Sequence, residues 1–195
     1  MSIFKNEFIS GFPNHIKKDV KKVLRVLGMR KFLHNYTTSG TVNYILKNEN
    51  IIFPERIYYL DVSDKIISKL SENQQNVLHC IYTRNCDGYV REKHLSKLLN
   101  SDYPDWAIPY IVRINSEYVI QILELTYSIL KDKNTDNIKQ FCLENQIVFC
   151  KDYSRMVSYW NEFYRYNHYH FKNYIGRRLF RECFGYSRSM EKNKR

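Results

Sequence analysis

The last 45 residues, "KDYSRMVSYWNEFYRYNHYHFKNYIGRRLFRECFGYSRSMEKNKR", interleave cations with phenol rings. Arg165, Lys172, Arg177, Arg178, Arg181 and Arg188 have the charge to contact phosphates. Neighbouring Tyr164, Tyr166, Tyr169 and Tyr174 offer faces that stack on bases or build an aromatic protein interface. A second basic stripe lies near the other end, where Lys18, Lys21, Lys22 and Arg25 follow i, i+3, i+4, i+7 spacing. Neither cluster requires catalysis. Both also have a plain structural use: Trp160, Phe163, Tyr164, Ile175, Leu179 and Phe180 pack a terminal helical pair, and the cations stay hydrated.

Metal and thiol chemistry find less support. His79, Cys80, Cys86 and His94 carry ligand atoms, but adjacent helical residues point about 100° apart and the spacing fits no ordinary zinc site. His168 and His170 fall on nearly opposite faces of a continuous helix, so all these histidines read as packing or surface residues and no metal is expected. The five cysteines include no CxxC pair and read as free thiols of a reducing compartment. Six scattered glycines give neither Walker nor Rossmann spacing, and no cofactor is expected.

Arg165 and His170, with four residues between them, resemble the Arg-x4-6-His motif of helical HEPN ribonucleases. That resemblance implies metal-independent RNA cleavage through the 2′-hydroxyl, with His170 as general acid or base and Arg165 stabilising phosphate charge. Tyr166 stands where that family often has a polar residue.

The elements that position these residues read as helices. A 44% hydrophobic content over 195 residues suffices for a core, and 6 Gly with 4 Pro are few for a fold made of tight turns. The chain therefore reads as mostly α-helical and a single domain, 1–195. Its sub-regions are a basic amphipathic helix plus connector (1–60), helical pairs (61–131), aromatic and basic helices (135–186) and a frayed basic tail (187–195). Ile16, Val20, Val23, Leu24, Leu27 and Met29 predict a helix over 15–33 with Asn14 as its cap. "TTSG" breaks the chain, 41–47 is a short helix, and "IIFPERIYYLDV" is an extended connector or at most an edge strand, with Tyr58 and Tyr59 as packing residues.

Ser71 and Gln74 have capping-box spacing ahead of Val77, Leu78 and Ile81. Asp87 caps the next helix, lined by Val90, Leu95, Leu98 and Leu99. Asp105 caps a helix over 106–114 with Pro109 near its first turn, and 117–130 is apolar nearly all round, the mark of a buried central helix. Further helices are expected from Thr135 or Asp136, over 153–167 and over 171–184, with Gly185 as the stop.

"DGYVREKHLSKLL" resembles the inner helix of a HEAT-like unit, where Asp precedes a Val-Arg pair and leucines follow. "AIPYIVRINSEYVIQIL" is similar to an outer helix with its Pro, a polar turn and the next inner helix. The resemblance covers about residues 72–130 and implies helix pairs stacked side by side, with the flanking segments as non-repeat caps or parts of a compact bundle. The sequence departs from that pattern at Asn115, where Asp is usual, and at Ile120, which replaces the Arg after Val119.

Net charge is +11, divided as +6 over residues 1–50, −2 over 51–150 and +7 over 151–195. Basic ends attract an acidic protein or nucleic acid. No apolar run reaches the roughly 20 residues of a membrane span and the first 20 residues lack signal-peptide order, so a cytoplasmic protein is expected. The function expected is a non-catalytic helical scaffold that engages an acidic partner, with the HEPN-like ribonuclease as the alternative.

Overall fold

Val20, Val23, Leu24 and Leu27 share one buried face, continued by Ile16 just ahead of it, and the helix that displays them, α1 (Lys17–Gly28), keeps Lys18, Lys21, Lys22 and Arg25 on its exposed side. It is entered through a 3-10 turn, Asn14–Ile16, with Pro13 rather than Asn14 in the capping position. Asn14 instead accepts a hydrogen bond from the Lys17 ammonium at 2.5 Å. The computed structural model describes residues 8–28 and 40–192, so the expected extension of α1 to residue 33 and most of the "TTSG" break lie outside the described residues.

The segment expected as a short helix at 41–47 is a strand. β1 (Thr41–Leu46) pairs antiparallel with β2 (Glu49–Pro54), from Leu46 opposite Glu49 to Thr41 opposite Pro54. Val42, Tyr44 and Leu46 alternate inward with period 2, and the ribbon closes through Lys47 and Asn48, both at positive φ (49° and 65°). Two consecutive left-handed residues make the turn whose twist matches that of a hairpin.

After the hairpin and a single short turn of helix, Asp64–Ile67, two longer helices form where the capping signals place them. In α2 (Glu72–Tyr82) Gln74 Oε1 accepts from the Ser71 N–H at 3.3 Å, and Val77, Leu78 and Ile81 are fully buried. Asp87 accepts from the Tyr89 N–H at 2.8 Å to open α3 (Gly88–Asn100), which packs antiparallel to α2 through Leu95, Leu98 and Leu99. Val90 is only partly covered. Arg91 is fully buried and its guanidinium caps the preceding turn, donating to the carbonyls of Asn85 (2.8 Å) and Cys86 (3.0 Å). Replacing Asp87 with Ala is expected to lower stability by about 1 kcal/mol, read as a shift in denaturant midpoint, because one N-terminal donor of α3 loses its partner.

The chain divides into two compact units, Met1–Ala107 and Ile108–Arg195. Tyr58 and Tyr59 in the first are exposed rather than packed. The second unit opens with α4 (Ile108–Ile114), every residue of which is buried; Asp105 precedes it in a 3-10 turn and spends its carboxylate on Lys47 at 2.9 Å. α5 (Ile120–Leu130) begins three residues later than expected and is not greasy all round. Ile122, Leu123, Thr126, Tyr127 and Leu130 are buried, while Gln121, Glu124 and Ser128 face water.

α6 (Asp136–Glu144) packs on α4, and α7 (Gln146–Tyr159) runs on into a π turn, Trp160–Tyr164. The helix expected to begin at residue 153 therefore begins at Gln146. The helix expected over 171–184 is assembled from a 3-10 turn (Phe171–Asn173), α8 (Ile175–Arg178) and a second π turn, Leu179–Cys183. α5 packs chiefly on α8 and that π turn, and α8 also lies on α7. The second contact depends on Gly176, where a Cβ would come within 2.8 Å of Met156 Sδ and the Tyr174 ring. Gly185 stops the run at φ +76°, as expected. The expected frayed tail contains a last turn, α9 (Ser189–Lys192), held on α7 by Met190, whose side chain is buried. The protein is mostly α-helical, and no described helix is long and apolar enough to cross a membrane.

Candidate functional site

Because α8 and its π turn place basic side chains on the outside of the second unit, Lys172, Arg177, Arg178 and Arg181 line one cleft of about 380 Å3 with Asn173 and Glu182. A neighbouring cleft of about 520 Å3 is lined by Tyr153, Val157, Phe171 and Tyr186 together with Arg177, Arg181 and Arg188. Arg177 and Arg181 belong to both, so the two hollows form one continuous basic surface.

The cations differ in how far they are already engaged. Arg178 donates from Nε to Glu182 at 3.2 Å, reaches the Tyr127 hydroxyl and lies 4.6 Å over that ring. Glu182, held below its usual range chiefly by the hydrogen bond from Tyr127 at 2.5 Å, is thus spent locally. Arg177 donates to the Lys172 carbonyl at 3.0 Å and sits 6.0 Å over Phe171. Lys172, Arg181 and Arg188 make no carboxylate pair among the described residues and are exposed. The acid at the rim, Glu191, accepts from the Tyr186 hydroxyl at 2.6 Å; burial first, then that bond, pushes the Tyr186 pKa up and keeps the phenol protonated.

The structure therefore brings Lys172, Arg177, Arg178, Arg181 and Arg188 together. Arg165, Tyr166 and Tyr169 are exposed but line neither cleft. Arg165 donates to Asn161 at 3.1 Å, and residues 165–170 form a turn and an extended stretch, so the helix expected over 153–167 ends before Arg165 while His168 and His170 lie between the expected helices. Trp160 and Ile175 are half-buried and Phe163 is exposed, so of the expected packing set Leu179 and Phe180 form the core. Lys18, Lys21, Lys22 and Arg25 stand on α1, in the first unit. Sequence reasoning missed Tyr153, Tyr186 and Val157 as cleft walls; their apolar bodies resemble any core aromatic until the fold leaves one side open.

The first unit contains a second titratable cluster. His94, fully buried, bonds through Nε2 to Asp61 Oδ1 at 2.8 Å and through Nδ1 to His79 Nδ1 at 2.8 Å. A carboxylate only accepts, so His94 carries its proton on Nε2 and accepts at Nδ1 from the N–H of His79. Burial holds His79 down at about 3 and lowers His94 despite the Asp61 charge. Asp61 also accepts from Lys93 at 2.7 Å; burial raises it, but the bonds from His94 and Lys93 outweigh that and leave it at about 2. These histidines were expected to be packing or surface residues; both are buried, and hydrogen bonds fix them. No group of three or more His, Cys, Asp or Glu among the described residues is arranged to hold a metal. Burial pushes the Cys80 and Cys142 thiols up, and Cys183 to about 11, which removes them as nucleophiles near neutral pH.

Fold and site together define a mostly helical protein with a basic, aromatic-walled double cleft. The chain matches no known family, no curated protein and no solved structure.

Proposed function

We propose that the chain is a non-catalytic binding module that engages an anionic macromolecule through the double cleft of its second unit. The observation that carries this is the sharing of Arg177 and Arg181 by two adjacent hollows that also gather Lys172 and Arg188, with the nearby acids Glu182 and Glu191 tied to Tyr127 and Tyr186. Like charges converge on open space only at a cost in mutual repulsion, which an anion relieves. The helix pair α2 and α3, with Asp87 and Arg91 at their junction, serves in this proposal as a HEAT-like scaffold element. A reducing, cytoplasmic setting suits the five free thiols.

The test is retention on heparin and fluorescence anisotropy with a single-stranded oligonucleotide and with polyglutamate across a salt series. Wild type is expected to bind with a log–log salt slope of roughly −2 to −3 for an oligonucleotide, as about four neutralised phosphates give. Arg177→Glu with Arg181→Glu is expected to weaken binding at least about tenfold with an unchanged melting curve, since both side chains point outward. An unchanged elution position would sink the proposal.

A further inference from the structure

We infer that the larger cleft is a nucleotide seat: it holds one base of a single-stranded nucleic acid against an aromatic wall while the flanking phosphates lie on the arginines. This rests on the anion-binding function proposed above and deepens it.

Three observations carry it. The cleft is about 520 Å3, inside the range of about 300–1,000 Å3 typical of small-molecule sites and far more than a bare phosphate fills. Its floor is aromatic: Tyr153 stacks on Tyr186 with ring centroids 3.5 Å apart and meets Phe171 edge-on at 6.5 Å. Its rim is cationic, with Arg177, Arg181 and Arg188 around those rings. An aromatic floor inside a ring of guanidinium groups matches a base joined to charged phosphodiesters on both sides, and planar guanidinium groups themselves lie well on bases.

The second hollow favours a polymer. It continues from Arg177 and Arg181 to Lys172 and Arg178 and lacks aromatic lining, so it suits the next stretch of backbone rather than a second base. A phosphotyrosine side chain presents a ring and one phosphate and would leave this second set of cations unanswered. Polyglutamate would satisfy the cations and leave the aromatic floor empty. A duplex hides its base faces from the wall, so the seat selects single strands.

The experiment compares four fluorescent probes on the full chain at one salt concentration: a 12-nucleotide uridylate strand, an abasic phosphodiester of the same length, 12-residue polyglutamate and a tyrosine-phosphorylated peptide. The uridylate strand is expected to bind about tenfold more tightly than the abasic strand, as stacking of one base gives. Phe171→Leu, which keeps apolar bulk but removes the ring, is expected to erase that advantage, so that uridylate and abasic strands bind the variant alike. Phe171→Ala serves as the stronger variant where its melting curve shows it folded. Equal affinity for uridylate and abasic strands overturns the nucleotide seat and leaves the anion-binding function standing. Tightest binding by the phosphopeptide or by polyglutamate also overturns it, in favour of a protein partner. Binding of no probe overturns both.

Discussion

Replacing Asp152 with Ala is expected to destabilise the second unit by about 3–5 kcal/mol, the largest effect of any single substitution considered. Asp152 on α7 is 0% exposed and accepts from Nη1 of Arg113 on α4, itself 5% exposed. Truncation takes from the buried guanidinium the carboxylate bonded to it, and Asp152 then no longer offsets the dehydration of that charge. Stabilities of domains lie near 5–15 kcal/mol, so such a loss consumes much of the margin. The double variant Arg113→Met with Asp152→Leu removes the charge as well as its partner and is expected to recover most of the loss. Urea titrations followed by circular dichroism on the wild type, both single variants and the pair give the coupling energy. A midpoint for Asp152→Ala equal to wild type would show that the pair is solvated.

Acid is expected to weaken the first unit well above the pH at which ordinary carboxylates titrate. His79 is held at about 3 in the folded chain and His94 is lowered, against about 6.5 when unfolded. Below about pH 6.5 each is less protonated in the native state than in the unfolded chain, so the unfolded state binds more protons there. Stability is therefore full above about pH 6.5 and falls by up to about 1.4 kcal/mol per pH unit for each histidine below it. For His79 the fall continues to about pH 3 and amounts to about 5 kcal/mol. The depressed Asp61 adds its own loss only below its ordinary value near 3.8. Melting temperatures from pH 7.5 to 4.5 test this: His79→Gln should flatten the slope by close to one proton, and a wild-type curve flat across that range would refute the assignment.

The parts legible in sequence were those encoded by neighbours. Ser71 with Gln74, Asp87 before its helix and Gly185 after the last one announce themselves within four residues, and the structure uses each of them. β1 was lost because Val42, Tyr44 and Leu46 give only three inward positions, too few to separate period 2 from a short helix, and Lys47-Asn48 lacks the glycine that marks most such turns. The π turns were illegible because nothing in composition reports one extra residue per turn. The cations of the site were visible as a count, but its walls were not. Tyr153 and Tyr186 come together only after α7 and the chain end have packed, and His94 meets Asp61 across 33 positions that carry no local pattern.

The wide turn over Leu179–Cys183, closed by the Phe184 N–H on the Leu179 carbonyl at 3.2 Å, has a consequence for how this surface can be edited. Excising a single residue there would take out the one extra residue that the π turn holds and restore ordinary winding with the flanking segments kept in phase. The same excision within the regular winding of α5, which holds no spare residue, would instead turn everything beyond it by about 100°. Slack of this kind is a variable that point-by-point substitution leaves untouched and that a one-codon deletion series would expose.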